Sequence, residues 1–201
     1  MCKPISYRQE VNMNADRFCF DLGTFECIAI RDDSEAHPFS DLTTDVPEEL
    51  LAQALRKHGF PSEGWSADFN CLLINTGEHR VLVDAGWGYG TTRRNGRLLQ
   101  NLKAEGIAPE DIDVIVITHS DRDHTGGLIH AEGKMTFPNT RHVMWREGWR
   151  AWSETNWAKE PEDMAVFHRK VLQCLHDRVE LVEPERVPTR LSGYPGGRSQ
   201  T

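Results

Sequence analysis

Apolar and polar positions along the chain follow two repeats, one typical of strands and one typical of helices. Short segments rich in β-branched and aromatic residues predict strands at residues 17–22, 25–30, 69–75, 80–84, 113–118, 141–144 and 179–182. Apolar residues at helical spacing predict helices from residue 46 to Gly59, through residues 98–103, from residue 146 onward and at residues 161–177. Alternating strands and helices with apolar central strands predict an α/β layered domain.

Several segments refine this prediction. Four consecutive β-branched residues, 114–117, indicate a strand covered on both faces. The polar residues 32–44 predict a loop, and Asp45 is a plausible N-cap for the helix that follows. Residues 184–201 are rich in proline and glycine and poor in large apolar side chains, which predicts a disordered tail. We therefore expect a domain at residues 1–183 followed by that tail.

The composition of the 201 residues, 38% hydrophobic and 27% charged, is that of a soluble globular protein. No apolar run reaches the roughly 20 residues of a membrane-spanning helix, and the first residues lack the apolar core of a secretory signal. We therefore expect a cytoplasmic protein without membrane contact. The net charge of −8 argues against a nucleic-acid partner, because binding to phosphates depends on clustered Lys and Arg.

Four potential metal ligands lie within six residues directly after the central strand: His119, Asp121, Asp123 and His124. Imidazole nitrogens and carboxylate oxygens are ligands of zinc, iron and manganese. A loop at the end of a rigid strand can direct several side chains to one point. The alternative is that Ser120, Asp121 and Asp123 only cap the next helix. The density of ligands, followed by the pair Gly126-Gly127, favours metal binding.

The segment T-H-S-D-R-D-H-T-G-G at residues 118–127 resembles the signature T-H-x-H-x-D-H-x-G-G of the metallo-β-lactamase-fold superfamily. Residues 81–88 resemble the earlier strand and loop of that superfamily, which is usually written L-I-D-x-G. The resemblance extends from about residue 69 to about residue 150. It implies an αββα layered sandwich built from two similar halves.

By position, the resemblance implies that His119 and Asp121 bind a first divalent ion and that Asp123 and His124 bind a second. Zinc is the expected metal, and iron or manganese are alternatives. Asp123 could also act as a catalytic residue that orients the attacking water or helps to transfer its proton. Asp84 would lie near the ligands and hold them in place without binding the ion. The alternative is that it is only an Asp that ends a strand before a glycine turn. The implied chemistry is metal-assisted hydrolysis of a small ester, lactone, amide or similar substrate.

Two departures from the superfamily pattern matter. Asp121 stands where the signature has its second His, and a carboxylate favours harder ions such as iron or manganese. The flavodiiron oxygen or nitric-oxide reductases also carry a carboxylate there, so a di-iron oxidoreductase is an alternative function.

The second departure is that the later His, bridging Asp and final His of the superfamily have no counterparts here. The later histidines, His130, His142, His168 and His176, are expected to be structural or surface residues. We therefore expect an incomplete second half in a truncated or frame-shifted product, which could be a non-catalytic fragment. Such a chain would expose an apolar face and could associate with itself through that face.

Overall fold

In the computed structural model, which describes residues 16–42, 46–60, 64–88, 96–130 and 132–183, every strand lies beside its neighbours in sequence. The sheet order is β1 to β7: Arg17–Leu22, Phe25–His37, Trp65–Asn75, Arg80–Val83, Val114–Ile117, Arg141–Trp145 and Val179–Val182. Strands β1 to β4 pair antiparallel, and strands β4 to β7 pair parallel. The parallel strands need crossover connections, and helices supply them.

The described helices are α1 to α5: Glu48–Lys57, Leu98–Ala104, Arg122–Thr125, Arg146–Glu154 and Glu162–Leu175. Helix α5 illustrates why they form where they do. Pro161 precedes its first turn, which contains Glu162 and Asp163, as expected at a helix N-terminus. Its buried residues recur at helical spacing and include Val171. The alternation of strands and helices confirms the predicted α/β class.

One face of the sheet carries the core. Buried strand residues such as Leu82, Ile115 and Met144 form one cluster with helix residues such as Leu102 and Val171. The two faces of β5 differ sharply, because Ile115 and Ile117 are buried whereas Val114 and Val116 are only half-buried. The prediction of a central strand covered on both faces is therefore wrong. Within the described residues there is no second sheet to cover the opposite face.

The predicted loop at residues 32–44 is also wrong in part, because β2 continues to His37. The pairing of β2 with β3 shifts at a β-bulge between Arg31 and Asp33 and then continues to the pair His37 and Trp65. Their rings stack with centroids 5.1 Å apart. Ladder hydrogen bonds need only the backbone, so polar side chains can occupy a strand that projects beyond the core.

Three predictions fall outside the described residues, namely the cap at Asp45, the tail at residues 184–201 and the domain limit drawn against that tail. The other predicted strands and helices are present, with ends that move by a few residues. Among the described helices, none combines the length and the apolar character that a membrane span requires.

Candidate metal site

The ligand loop, residues 118–127, begins where β5 ends, and the glycine loop, residues 84–88, begins where β4 ends. Strands β4 and β5 are parallel neighbours, so their carboxyl ends lie at the same edge of the sheet. Asp84 N donates a backbone hydrogen bond to Val116 O of β5 at 2.9 Å, and Ala85 N donates one to His124 O of the ligand loop at 2.8 Å. This pairing places Asp84 against the ligand loop.

Asp84 is a buried carboxylate with an unusual backbone. Its φ of 62° is the positive value that side-chain-bearing residues adopt rarely and at some cost. The carboxylate accepts hydrogen bonds from Thr118 N at 2.9 Å and Thr118 Oγ1 at 2.8 Å, and it lies 2.7 Å from His124 Nδ1. These contacts are those expected of a residue that supports metal ligands, and they explain why the strained turn is kept.

The same contacts fix which nitrogen of each histidine is available. An ionised carboxylate can only accept, so His124 Nδ1 carries the hydrogen that it shares with Asp84. The single hydrogen of the Thr118 hydroxyl goes to Asp84, so His119 Nδ1, at 2.9 Å, must donate to that oxygen. Each Nε2 is therefore the nitrogen left to bind a metal ion.

The four predicted ligands form two pairs. His119 Nε2 lies 3.5 Å from Asp121 Oδ2, and His124 Nε2 lies 3.1 Å from Asp123 Oδ2. Two ligands of one tetrahedral zinc ion stand about 3.4 Å apart. These are the pairs that the resemblance implies, and the two imidazole rings are near each other, with centroids 3.7 Å apart.

Neither pair is a complete metal site. No three His, Cys, Asp or Glu side chains among the described residues are grouped as one ion requires. The donor chemistry and the spacing within each pair fit a divalent ion, and each pair supplies part of a coordination shell. Metal binding by these four residues stays a prediction.

Asp123 and His124 shift each other's pKa values. Burial alone would lower the pKa of His124, but its hydrogen bonds with Asp123 and Asp84 outweigh that effect and raise the pKa to about 9. Burial alone would raise the pKa of Asp123, but the hydrogen bond from His124 holds that pKa below its ordinary value. A proton on His124 Nε2 and a metal ion would compete for one lone pair.

Helix capping does not account for the loop. Asp121 is at the N-cap position of α3, yet its side chain makes no capping hydrogen bond. Its carboxylate is turned toward His119 instead. The glycine pair that follows has a packing role, because a Cβ at Gly126 would lie 2.1 Å from Trp87 O, and one at Gly127 would lie 2.0 Å from Ala85 O.

The roles of two residues of the ligand loop, Thr118 and Arg122, were not predicted. The hydroxyl of Thr118 bridges Asp84 and His119, and its only signal in the sequence is its place directly before the first ligand. Arg122 anchors the loop to α5, with Nη1 3.2 Å from Asp163 Oδ2 and Cζ 4.7 Å from the centre of the Phe167 ring. Its position between two predicted ligands gave no sign of that anchor.

The four later histidines divide into two exposed and two buried residues. His130 and His176 are exposed, whereas His142 and His168 are buried. His168 accepts a hydrogen bond from Trp152 Nε1 at 3.1 Å and stacks on Trp157, which is a structural role.

The sequence profile of the metallo-beta-lactamase superfamily matches residues 70–195, more than half of the chain, and the chain belongs to this superfamily. It is 35% identical over 88 residues to metallo-beta-lactamase domain-containing protein 1 of Xenopus laevis, over 42% of this chain and 34% of that protein. The Mus musculus protein of the same name is 42% identical over 48 residues, 24% of this chain and 17% of that protein.

Solved structures show the same fold. AidC, described as a dizinc quorum-quenching lactonase, superposes with a TM-score of 0.72 at 21% identity, over 83% of this chain and 61% of that chain. AbOPH, described as a hydrolase in the beta lactamase superfamily, has a TM-score of 0.69 at 24% identity, over 84% and 61%. The metallo-β-lactamase fold predicted from the motifs is thus confirmed. The chain spans less than two thirds of the length of each of these four proteins.

Proposed function

We propose that this chain carries part of the metal site of a metal-dependent hydrolase acting on a small ester, lactone, amide or similar substrate. One observation carries the proposal. His119 and His124 both turn Nε2 toward a carboxylate, while their Nδ1 atoms are held by Thr118 and Asp84. Ligand histidines are oriented in this way in metal sites. The lactonase and hydrolase with the same fold support the substrate class.

The residues of the chain would divide the work. A divalent ion, zinc first among the candidates, would activate water for attack and polarise the oxygen of the substrate. His119 and Asp121 would hold one ion, and Asp123 and His124 would hold a second. Asp123 would also accept a hydrogen bond from the attacking water and so orient it. Asp84 and Thr118 keep the imidazole rings from rotating.

The first test is elemental analysis of the purified chain after incubation with Zn²⁺, Fe²⁺ or Mn²⁺ and removal of free ions. The His119→Ala, Asp121→Ala double variant should lose bound metal relative to the wild type, because it removes one complete donor pair. Hydrolysis of ester and lactone panels, measured on the metal-loaded wild type, then tests the substrate class.

A matched control is available in the same chain. His176 and Asp177 form an exposed histidine–aspartate pair, 2.9 Å apart, at the end of α5. The His176→Ala, Asp177→Ala variant should keep the wild-type metal content. Equal metal loss in both variants, or a wild type without metal, would contradict the proposal and favour a non-catalytic chain.

A di-iron oxidoreductase is the second candidate, and the carboxylate of Asp121 favours it. In that case the purified chain would retain iron in preference to zinc, and the Asp121→His variant would shift this preference toward zinc. Competition between the two ions, followed by elemental analysis, separates the candidates.

A further inference from the structure

Asp32 is a fully buried acidic residue of β2 that lies far from the ligand loop in sequence. It is 0% exposed and occupies the β-bulge in the pairing of β2 with β3. Its Oδ2 accepts a hydrogen bond from Trp87 N at 2.7 Å, and its Oδ1 accepts one from Leu98 N at 2.8 Å. One carboxylate thus ties the glycine loop and the start of α2 to β2.

The surrounding chain is built to admit this carboxylate. A Cβ at Gly86 would lie 2.5 Å from carboxylate atoms of Asp32, and a Cβ at Gly96 would lie 2.4 Å from one. Burial raises the pKa of Asp32, and the N–H groups of Trp87 and Leu98 partly offset this effect. Two glycines and two directed N–H groups form a cradle that fits a planar group with two acceptor oxygens.

The glycine loop connects Asp32 to the ligand loop. The glycine loop that Asp32 holds at Trp87 is also bonded to the ligand loop by two backbone hydrogen bonds. Ala85 N donates to His124 O at 2.8 Å, and Gly127 N donates to Gly86 O at 3.0 Å. Movement of the glycine loop would therefore move His124.

We propose that Asp32 is a positioning residue of the candidate metal site, which holds the glycine loop against the ligand loop so that His124 faces its carboxylate partners. This inference rests on the proposed function. Asp32 contacts none of the four predicted ligands and acts only through the backbone of residues 84–88.

The test is the Asp32→Asn variant, in which one acceptor oxygen becomes an NH₂ group that faces an N–H donor. Amide hydrogen exchange, followed by NMR without added metal, should be at least about tenfold faster at Ala85 and Gly127. Affinity for Zn²⁺, measured by competition with a chromophoric chelator, should fall about tenfold. A residue that only caps α2 would change exchange at Trp87 and Leu98 and leave zinc affinity unchanged.

Two further variants keep the test decisive. Val171→Ala removes packing from the buried core in α5 and should lower thermal stability without changing zinc affinity or selectively exposing Ala85 and Gly127. Gly96→Ala places a methyl group against the Asp32 carboxylate and should have the same effects as Asp32→Asn. It replaces Asp32→Asn in the test if Asp32→Asn folds poorly.

The outcomes are distinct. The proposal is overturned if Asp32→Asn and Gly96→Ala leave the exchange of Ala85 and Gly127, or the zinc affinity of a zinc-binding wild type, unchanged. If the wild type binds no zinc, the exchange rates alone decide whether Asp32 positions the ligand loop. The proposed function fails if the wild type binds neither zinc nor Fe²⁺ nor Mn²⁺.

Discussion

At the scale of single residues, the site depends on hydrogen bonds that link Asp84 and Thr118 to the two histidines of the ligand loop. Thr118 Oγ1 donates to Asp84 and accepts from His119, so one hydroxyl links the carboxylate of the glycine loop to the first histidine. Without that hydroxyl, His119 could rotate or change its tautomer. A metal ligand that must be ordered on binding costs entropy that a fixed ligand does not.

The Thr118→Val variant keeps the shape of the side chain and removes this link. We expect the affinity for Zn²⁺ to fall about tenfold to a hundredfold, because the orientation of His119 is lost. Chelator competition measures the affinity. Thr140→Val, which removes a hydroxyl bonded to Ile112 O at 2.8 Å away from the site, is the control and should bind zinc as the wild type does. Equal affinities for all three proteins would show that Thr118 does not orient His119.

The chemistry of the predicted ligands could be read from the sequence, because four donors in six residues stand out. The contacts that hold them could not. The role of Asp32 depends on residues that are 55 and 66 positions away, Trp87 and Leu98, and both contribute only a backbone N–H, which has no signature in the sequence. The strained φ of Asp84 was equally hidden.

At the scale of elements, apolar periodicity located strands and helices well where they belong to the core. Strands β5 and β7 were predicted with nearly their observed ends, because apolar residues recur in both, although only β5 contributes fully buried side chains. Apolar periodicity did not predict the outer part of β2, because its pairing with β3 uses backbone groups and leaves polar side chains in solvent. The prediction that both faces of β5 are covered was wrong because β-branched residues suit a strand whether or not its second face is covered.

Strand β6 leads to a prediction about pH. His142 is 1% exposed and is aligned with Ile115 and Val179 across the sheet, and burial together with the charge of Arg178 lowers its pKa to about 4. As the pH falls from the ordinary value of 6.5 toward 4, the unfolded chain takes up a proton that the folded chain does not. The free energy of unfolding should therefore decrease over this range.

Urea unfolding at about pH 7.5 and about pH 4.5 measures this loss. The wild type should lose about 2 kcal/mol more than His142→Leu, which cannot titrate. His176→Leu, which removes an exposed histidine, should keep the wild-type pH dependence. An identical loss in wild type and His142→Leu would mean that His142 is already protonated or solvated in the folded chain.

At the scale of the whole molecule, the sheet presents an open face defined by Phe18, Val83, Val116, Val143 and Trp145, which the strand register places on one side. None of these residues belongs to the buried core cluster, and Phe18 and Trp145 are 56% and 45% exposed. We propose that copies of the chain associate through this open face, because burying its exposed apolar side chains in a contact is favourable.

Sedimentation velocity over a range of concentrations tests this association. The wild type should form dimers or larger species as its concentration rises, and Val116→Asp should shift the distribution toward the monomer. Val166→Asp, on the exposed side of α5, adds the same charge to the helical side and should sediment like the wild type. A monomeric wild type at every concentration would rule out the open face as a contact.

The order of the strands has a further consequence for synthesis. Because the sheet runs from β1 to β7 in sequence order, each strand pairs with the one translated just before it. A nascent chain leaving the ribosome could therefore enlarge the sheet at one growing edge, and no strand would have to wait for a partner encoded much later. In the described part of this chain, no strand would have to insert between two strands that are already paired.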